Sequence, residues 1–246
     1  MLGRTYAGQA ARRPDMGRSR VVRHDGRRAA LAFLIVSLLM TLVTPLQAQE
    51  APKTATKGRS LNLVALGDSL TAGYGLPAAA AFPVQLEAAL KARGHAVAVA
   101  NAGVSGDTAT GGLDRVDWSV PDGTDGVILE LGANDMLRGT DPAVTEKALD
   151  AIVARLKARG IPVMLAGMRA APNLGLDYGK RFDAIYPRLA ERYGLILYPF
   201  FLDGIAGDRS LNLADGLHPT RDGVAKVVTG ILPSVEDFLT RLRKGS

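Results

Sequence analysis

Five short apolar runs alternate with helical patterns along most of this sequence, and this alternation restricts the fold more than any other feature. The apolar runs lie at 63–66, 96–100, 126–131, 161–167 and 195–198, and helical spacing is found at about 82–93, 113–118, 142–159, 178–193 and 221–243. The third run, at 126–131, is expected to be buried except at Glu130.

Alternation of this kind produces right-handed β-α-β crossovers, in which helices cover both faces of a parallel sheet. We therefore predict an α/β fold, a single three-layer α/β/α domain at 61–246 with a five-stranded parallel sheet. The flavodoxin-like strand order 2-1-3-4-5 is the simplest, because it places the first and third strands side by side at a switch point where ligands bind.

The first 48 residues differ from the rest in charge and hydropathy. They contain eight arginines and two aspartates, followed by an apolar stretch at 29–43 and small residues up to Ala48. This stretch is short for a bilayer span, so we interpret 1–48 as a secretory signal peptide cleaved near Ala48, with Met16 as an alternative start. An uncleaved membrane anchor is the alternative. Residues 49–60 form a linker, and the protein is expected to be periplasmic or secreted.

The composition excludes several classes of partner and cofactor. Outside the leader, basic and acidic side chains are equal in number, so the high isoelectric point does not indicate a nucleic-acid-binding face. The chain has no cysteine and therefore neither disulfides nor a thiolate metal site. We expect no cofactor, no metal, no membrane span after signal cleavage, and a monomer.

Ser69 follows the first apolar run, in the sequence Gly67-Asp68-Ser69. The carboxyl ends of parallel strands are where active sites collect, so Ser69 lies where a nucleophile would lie. The alternative is a plain strand-to-helix turn in which Asp68 or Ser69 caps a helix.

The general base is sought among three histidines. His24 lies in the leader and His95 at a predicted helix end, where a solvated capping role is expected. His218 follows Asp215 by three residues, and a carboxylate at this distance can turn back onto the imidazole Nδ1 and orient the ring. The alternative for this pair is a loop histidine beside a helix-capping aspartate.

Two loop residues are candidate oxyanion donors. Asn134 and Gly106 follow strands, and each has an alternative role as an ordinary turn residue. Together with a nucleophile, a base and an acid, they supply every group that acyl transfer requires.

Four sequence blocks carry a resemblance to a known family. The segments GDSL at 67–70, GVSGDT at 103–108, GAND at 132–135 and DGLH at 215–218 resemble, in order and spacing, the blocks of the GDSL, or SGNH, hydrolases. The similarity covers about 61–240, and the chain is most similar to the exported bacterial group of multifunctional thioesterases, lysophospholipases and arylesterases.

The resemblance implies a catalytic triad of Ser69, His218 and Asp215, with an oxyanion hole formed by the Ser69 and Gly106 N–H groups and the Asn134 side chain. It implies a serine esterase that hydrolyses small-molecule acyl esters or thioesters through an acyl-enzyme.

Two other functions remain as alternatives. One is a carbohydrate or acetyl esterase on the same scaffold, although the chain has a single tryptophan to stack on sugars. The other is a non-catalytic flavodoxin-like module whose loops cradle a phosphate.

Apolar residues in the predicted loops are candidates for substrate binding. They could line an acyl groove or belong to a small satellite core. These residues are Met136, Leu137, Leu174, Leu176 and Tyr178.

Overall fold

A computed structural model describes residues 59–245. The predicted signal peptide at 1–48, the alternative start at Met16, and nearly all of the predicted linker at 49–60 lie outside the described residues. Among residues 59–245, no helix combines the length and the apolar character needed to cross a bilayer.

The predicted five-stranded parallel sheet is confirmed, including its strand order. The order is β2-β1-β3-β4-β5, and every neighbouring pair is parallel. Gly67 at the end of the first strand pairs with Gly103 and with Glu130, so the exit loops of three strands begin side by side. The strands are β1 (Leu61–Gly67), β2 (Val97–Gly103), β3 (Gly126–Glu130), β4 (Val163–Ala166) and β5 (Ile196–Tyr198).

The helices form a layer on each face of the sheet, which gives the predicted three-layer α/β/α fold. They are α1 (Ser69–Ala72), α2 (Phe82–Ala92), α3 (Ala109–Ser119), α4 (Ala133–Leu137), α5 (Pro142–Ala158), α6 (Leu176–Asp183), α7 (Ile185–Tyr193) and α8 (Arg221–Lys244). Helix α2 packs against α8, whereas α5 packs against α3 and α7.

The loop predicted to hold Asn134 forms the short helix α4. Two of the predicted helices also differ from the sequence prediction, for local reasons. The pattern predicted as one helix at 178–193 is divided at Ala184 into α6 and α7. Pro187 explains the division, because proline has no N–H to donate and its ring clashes with the carbonyl four residues earlier. Helix α3 begins at Ala109, earlier than predicted, because the Thr108 side chain caps it by accepting a hydrogen bond from the Gly111 N–H.

The centre of the sheet is buried on both faces, as expected for a parallel sheet covered by helices. All of β3 is buried, including Glu130. The prediction that Glu130 would be exposed is therefore wrong. Its carboxyl group lies beneath the turn after β1, where it accepts hydrogen bonds that an exposed position could not offer.

Candidate active site

The turn after β1 holds Ser69 in a short, well-capped helix. Asp68 accepts a hydrogen bond from the Leu70 N–H at 2.9 Å and so caps α1. Gly73 ends the helix in the left-handed region, at φ 81°, and donates its N–H to the Ser69 carbonyl. The capping role considered for Asp68 is therefore correct, and it fixes the serine that follows.

A continuous chain of hydrogen bonds joins Ser69, His218 and Asp215. The Ser69 Oγ lies 2.9 Å from His218 Nε2, and His218 Nδ1 lies 2.7 Å from Asp215 Oδ2. The structure therefore brings the three predicted triad residues together, although 149 positions separate the first two along the chain.

The Asp215 carboxylate is shaped by the tight turn that contains it. Its Oδ1 accepts the backbone N–H groups of His218 and Leu217, at 3.0 and 2.9 Å, which leaves Oδ2 for the imidazole. These backbone bonds, the one from His218 first, lower the pKa of Asp215 to about 2 together with the bond from the His218 ring. Gly216, at φ 71°, supplies the left-handed residue of the turn.

Asn134 lies in α4, directly after β3, and its side-chain amide points toward the same site. Its Nδ2 donates to the Asp107 carbonyl at 2.9 Å and to Asp68 Oδ2 at 3.1 Å. Gly106, in the loop after β2, adopts a left-handed φ of 85°, and Arg138 donates a hydrogen bond to its carbonyl oxygen. The hydrogen bond to Asp68 therefore directs the Asn134 side chain toward the turn that holds Ser69. Gly106 lies in the neighbouring loop after β2.

Two buried carboxyl groups lie beneath Ser69. Burial raises the pKa of Asp68 to about 6, although bonds from Leu70 and Asn134 oppose the change. Burial and the nearby Asp68 raise the pKa of Glu130 well above its usual value. Glu130 Oε2 accepts hydrogen bonds from the Thr71 hydroxyl at 2.7 Å and from the Asp68 N–H at 3.4 Å. Beneath Ser69 the site thus holds two carboxyl groups whose pKa values burial raises.

Arg115 of α3 is a buried cation that binds the carboxyl ends of β1 and β2. It donates to the carbonyls of Gly67 and Ala102, at 2.7 and 2.8 Å, and forms an ion pair with Asp107. The Asp107 carbonyl in turn accepts from Asn134. No sequence signal identified Arg115, because arginine on a short helix is ordinarily solvated and its partners are distant in the chain.

A cavity of about 80 Å³ opens beside the serine. Met136 and Leu137, two of the predicted substrate-binding residues, line it together with Ser69, Asn134 and His218. Sequence analysis missed its remaining side chains: three are neighbours of the predicted site residues, and two come from segments after β4 and β5 whose convergence only the fold determines. These are Leu70, Ala133, Met168, Leu202 and Leu217.

The other predicted substrate-binding residues lie outside this lining. Leu176 begins α6 and is 94% exposed. Tyr178 donates its hydroxyl to the Thr140 carbonyl at 2.9 Å, and its ring stacks on Phe182. Leu174 packs against the hydrophobic core. The structure therefore does not bring these three side chains to the cavity beside Ser69.

The remaining described histidine is not part of this site. His95 Nε2 lies 3.1 Å from Glu236 on α8, and Arg243 approaches its other ring nitrogen. Within residues 59–245, no group of three or more His, Asp or Glu side chains is arranged to hold a metal ion. The titratable groups around Ser69 include Asp68, Glu130, Asp215 and His218.

A parallel α/β fold with a hydrogen-bonded serine, histidine and aspartate at its strand ends defines the class of serine hydrolases. Comparison with known proteins identifies the family. Residues 65–226 match the GDSL-like Lipase/Acylhydrolase family, and the chain belongs to it. The predicted resemblance to GDSL hydrolases is confirmed, and the protein is an esterase.

Named relatives include enzymes with several activities. The chain is 40% identical to an arylesterase of Vibrio mimicus over 68% of this chain and 84% of that protein. It is 38% identical to the thioesterase 1/protease 1/lysophospholipase L1 of Escherichia coli K12, over 65% and 76%. The crystal structure of AlinE4, a SGNH-hydrolase family esterase, is 45% identical over 74% of this chain and 98% of that one, with a TM-score of 0.62.

Proposed function

We propose that this chain hydrolyses carboxylic esters and thioesters with Ser69 as nucleophile, His218 as general base and Asp215 as the group that orients the base. The observation that carries this proposal is the unbroken hydrogen-bond chain from Ser69 Oγ through His218 to Asp215. Because the Asp215 pKa is lowered to about 2, its carboxylate is ionised at neutral pH and accepts the Nδ1 proton. Nε2 is then left free to accept the serine proton.

The reaction takes place in two half-reactions of the same form. Ser69 Oγ bonds to the acyl carbon as its proton moves to His218, and the carbonyl electron pair moves onto oxygen. Collapse of this tetrahedral species expels the alcohol or thiol, which leaves with the proton from His218. Water then attacks the acyl-enzyme by the same route, which releases the acid and restores Ser69.

The developing oxyanion needs donors that are already in place. We assign the Ser69 and Gly106 N–H groups and the Asn134 side chain to this role. The Asp107 carbonyl holds one Asn134 N–H at 2.9 Å, and this bond orients the amide. The second N–H, which Asn134 Nδ2 donates to Asp68 Oδ2 across 3.1 Å, is then the one that we assign to the oxyanion.

The substrate class follows from the cavity and from the relatives. Its lining consists largely of methionine, leucine and alanine side chains, which favours an apolar acyl group. The names of the relatives, arylesterase and thioesterase/lysophospholipase, support aryl esters and acyl thioesters as substrates. A carbohydrate esterase is less well supported, because this lining has no Phe, Tyr or Trp side chain on which a sugar could stack.

The leader and the site also support proposals about location and assembly. We propose export to the periplasm or secretion, based on the charge and hydropathy of residues 1–48. N-terminal sequencing of the mature protein tests this and should find a start close after Ala48.

We further propose that the enzyme acts as a monomer, because one chain supplies all three proposed triad residues.

Covalent labelling tests the proposed nucleophile directly. A fluorophosphonate should label the wild-type protein at Ser69, and Ser69→Ala should lose both the label and ester hydrolysis. Circular dichroism should be unchanged, because a methyl group in place of this hydroxyl removes no core volume. Ser105→Ala is the matched control, since Ser105 is an exposed serine at the same sheet edge. A label that persists in Ser69→Ala, or a wild-type protein without label, contradicts the assignment.

A further inference from the structure

Tyr74 lies against the base of the proposed triad without belonging to it. Its ring centroid is 4.5 Å from that of His218, with the two planes inclined at 37°. Its backbone N–H donates to the Ser69 carbonyl at 3.1 Å, between Gly73 and Gly75, which both have left-handed φ angles. The backbone of Tyr74 is therefore held at a set position relative to both Ser69 and His218.

Tyr74 is also one of the exposed large apolar residues of the protein. It is 53% exposed, although one side of its ring packs on an imidazole. The exposed half of the ring is open to contact with a ligand bound beside His218. The cavity beside Ser69 is lined by other residues, so Tyr74 lies outside the acyl cavity.

The chemistry of ester cleavage places the two halves of the substrate in different surroundings. The leaving oxygen must receive a proton from His218 Nε2, so the group attached to that oxygen lies beside the imidazole ring. The acyl group lies in the cavity lined by Met136, Leu137 and Met168. The exposed part of the Tyr74 ring therefore borders the leaving group rather than the acyl chain.

We propose that Tyr74 is a specificity-determining residue that contacts the leaving group and favours esters of phenols over esters of aliphatic alcohols. This inference rests on the proposed function and names the residue responsible for one part of it. Two aromatic rings that meet edge-to-face or offset gain more than their buried area alone provides, and this gain is worth a few-fold to about tenfold in binding. The aliphatic group of an ethyl ester lacks that gain.

The proposal limits the effect of Tyr74 to one half-reaction. During acylation, the Ser69 Oγ bond to the acyl carbon forms, the bond from that carbon to the phenolic oxygen breaks, and the His218 proton passes to that oxygen. Deacylation starts from an acyl-enzyme that no longer contains the phenol. Esters with the same acyl group share this intermediate, so Tyr74 selects among them only during acylation.

The test compares phenyl acetate with ethyl acetate, which share the acetyl group and differ in the leaving group. For Tyr74→Ala, kcat/KM for phenyl acetate should fall by about fivefold more than kcat/KM for ethyl acetate. Tyr74→Phe should keep the wild-type ratio, because the ring and not the hydroxyl makes the contact. Equal losses for both esters would overturn the proposal and leave Tyr74 a positioning residue for His218, and an unchanged ratio with no loss would overturn it as well.

Trp118→Ala is the matched control, because Trp118 is an aromatic residue that is 73% exposed and lies near the C-terminal end of α3. It should change neither rate nor ratio. Fluorophosphonate labelling of Tyr74→Ala separates this proposal from the proposed function. A variant that is labelled at Ser69 with an unchanged ester ratio refutes only the role of Tyr74, whereas a wild-type protein that is not labelled refutes the catalytic assignment itself.

Discussion

The turn after β1, which holds Asp68 and Ser69, is called the nucleophile turn, and the turn before α8, which holds Asp215 and His218, is called the base turn. The two turns meet at the Ser69–His218 hydrogen bond, yet they are stabilised in opposite ways. In the first, Asp68 is fully buried, and burial raises its pKa to about 6. In the second, the Asp215 side chain is 36% exposed, and backbone N–H groups lower its pKa to about 2. The same residue type thus has different protonation behaviour because one site removes water and the other supplies donors.

This difference indicates how each half of the site holds its geometry. The nucleophile turn depends on long-range contacts, since Glu130 and Arg115 bind it from another strand and another helix. The base turn depends on its own backbone: Asp215 is bonded by N–H groups two and three residues later, and the Leu213 N–H donates to the His218 carbonyl. Substitutions should therefore affect stability at the first turn and mainly activity at the second.

The largest effect is expected from His218→Ala in the base turn. Loss of a triad base should lower kcat/KM by about 10⁴- to 10⁶-fold, with little change in the free energy of unfolding because the ring is only partly buried. Ester hydrolysis and urea denaturation measure the two quantities. His95→Ala is the control and should keep its activity, because His95 bonds Glu236 away from the site. An inactive, folded His95→Ala would reverse the assignment of the base.

Asn134→Asp should have the next largest effect, from the nucleophile side. As an oxyanion donor, the amide is strongest in the transition state, so we expect kcat to fall by about 10² to 10³ with little change in KM. Aspartate tolerates the same backbone conformation, but when ionised it cannot donate, and it would face Asp68. Steady-state kinetics beside Asn134→Ala provide the measurement. Near-normal kcat in a stable Asn134→Asp would leave Asn134 a structural residue.

A pair of glycine substitutions compares the stability of the two turns. A Cβ at Gly103 would lie 2.3 Å from the Ala72 backbone nitrogen, so Gly103→Ala should push β2 away from α1 and cost about 1 to 3 kcal/mol. A Cβ at Gly216 meets nothing within 4 Å, and Gly216→Ala costs only its left-handed φ, about 1 kcal/mol. Chemical denaturation gives both values. A larger loss at Gly216 would contradict the contrast between the turns.

The last pair of predictions concerns the pH dependence of stability. Glu130 has a folded pKa above its unfolded value, so its contribution is complete below pH of about 4 and is lost as pH rises toward the folded pKa. The slope for one proton is at most about 1.4 kcal/mol per pH unit. Glu130→Gln cannot ionise, so its stability should fall less steeply between pH 5 and 8. Denaturant midpoints across this range measure the slope.

Asp215→Asn is the counterpart for the base turn and has the opposite sign. The folded pKa of Asp215 is lowered, so its contribution is present above the unfolded pKa and is lost as pH falls toward about 2. The stability of Asp215→Asn should therefore differ in its pH dependence from wild type only below pH of about 4. Parallel curves for Glu130→Gln and wild type above pH 5 would show that Glu130 is not held protonated.

Sequence analysis predicted the strands because the five apolar runs and their spacing are local features, and it took the order 2-1-3-4-5 as the simplest one for such an alternation. The residues Ser69, Asp215 and His218 were found through their chemical type and the family blocks. The burial of Glu130, the partners of Arg115 and the convergence of Met168 with Leu202 were not found. Each of these depends on contacts between segments distant in sequence, which periodicity does not contain.

Arg115 gives the site a property that concerns opening of the native state rather than chemistry. Its guanidinium binds the ends of two neighbouring strands and the Asp107 carboxylate, while the Ala109 N–H at the start of the same helix donates to Asp135. Undocking of α3 would break all these bonds together. The helix and the loops after β1 and β2 should therefore open as one cooperative unit. Hydrogen exchange should then show equal opening free energies for the amides of Val104 and Ala109.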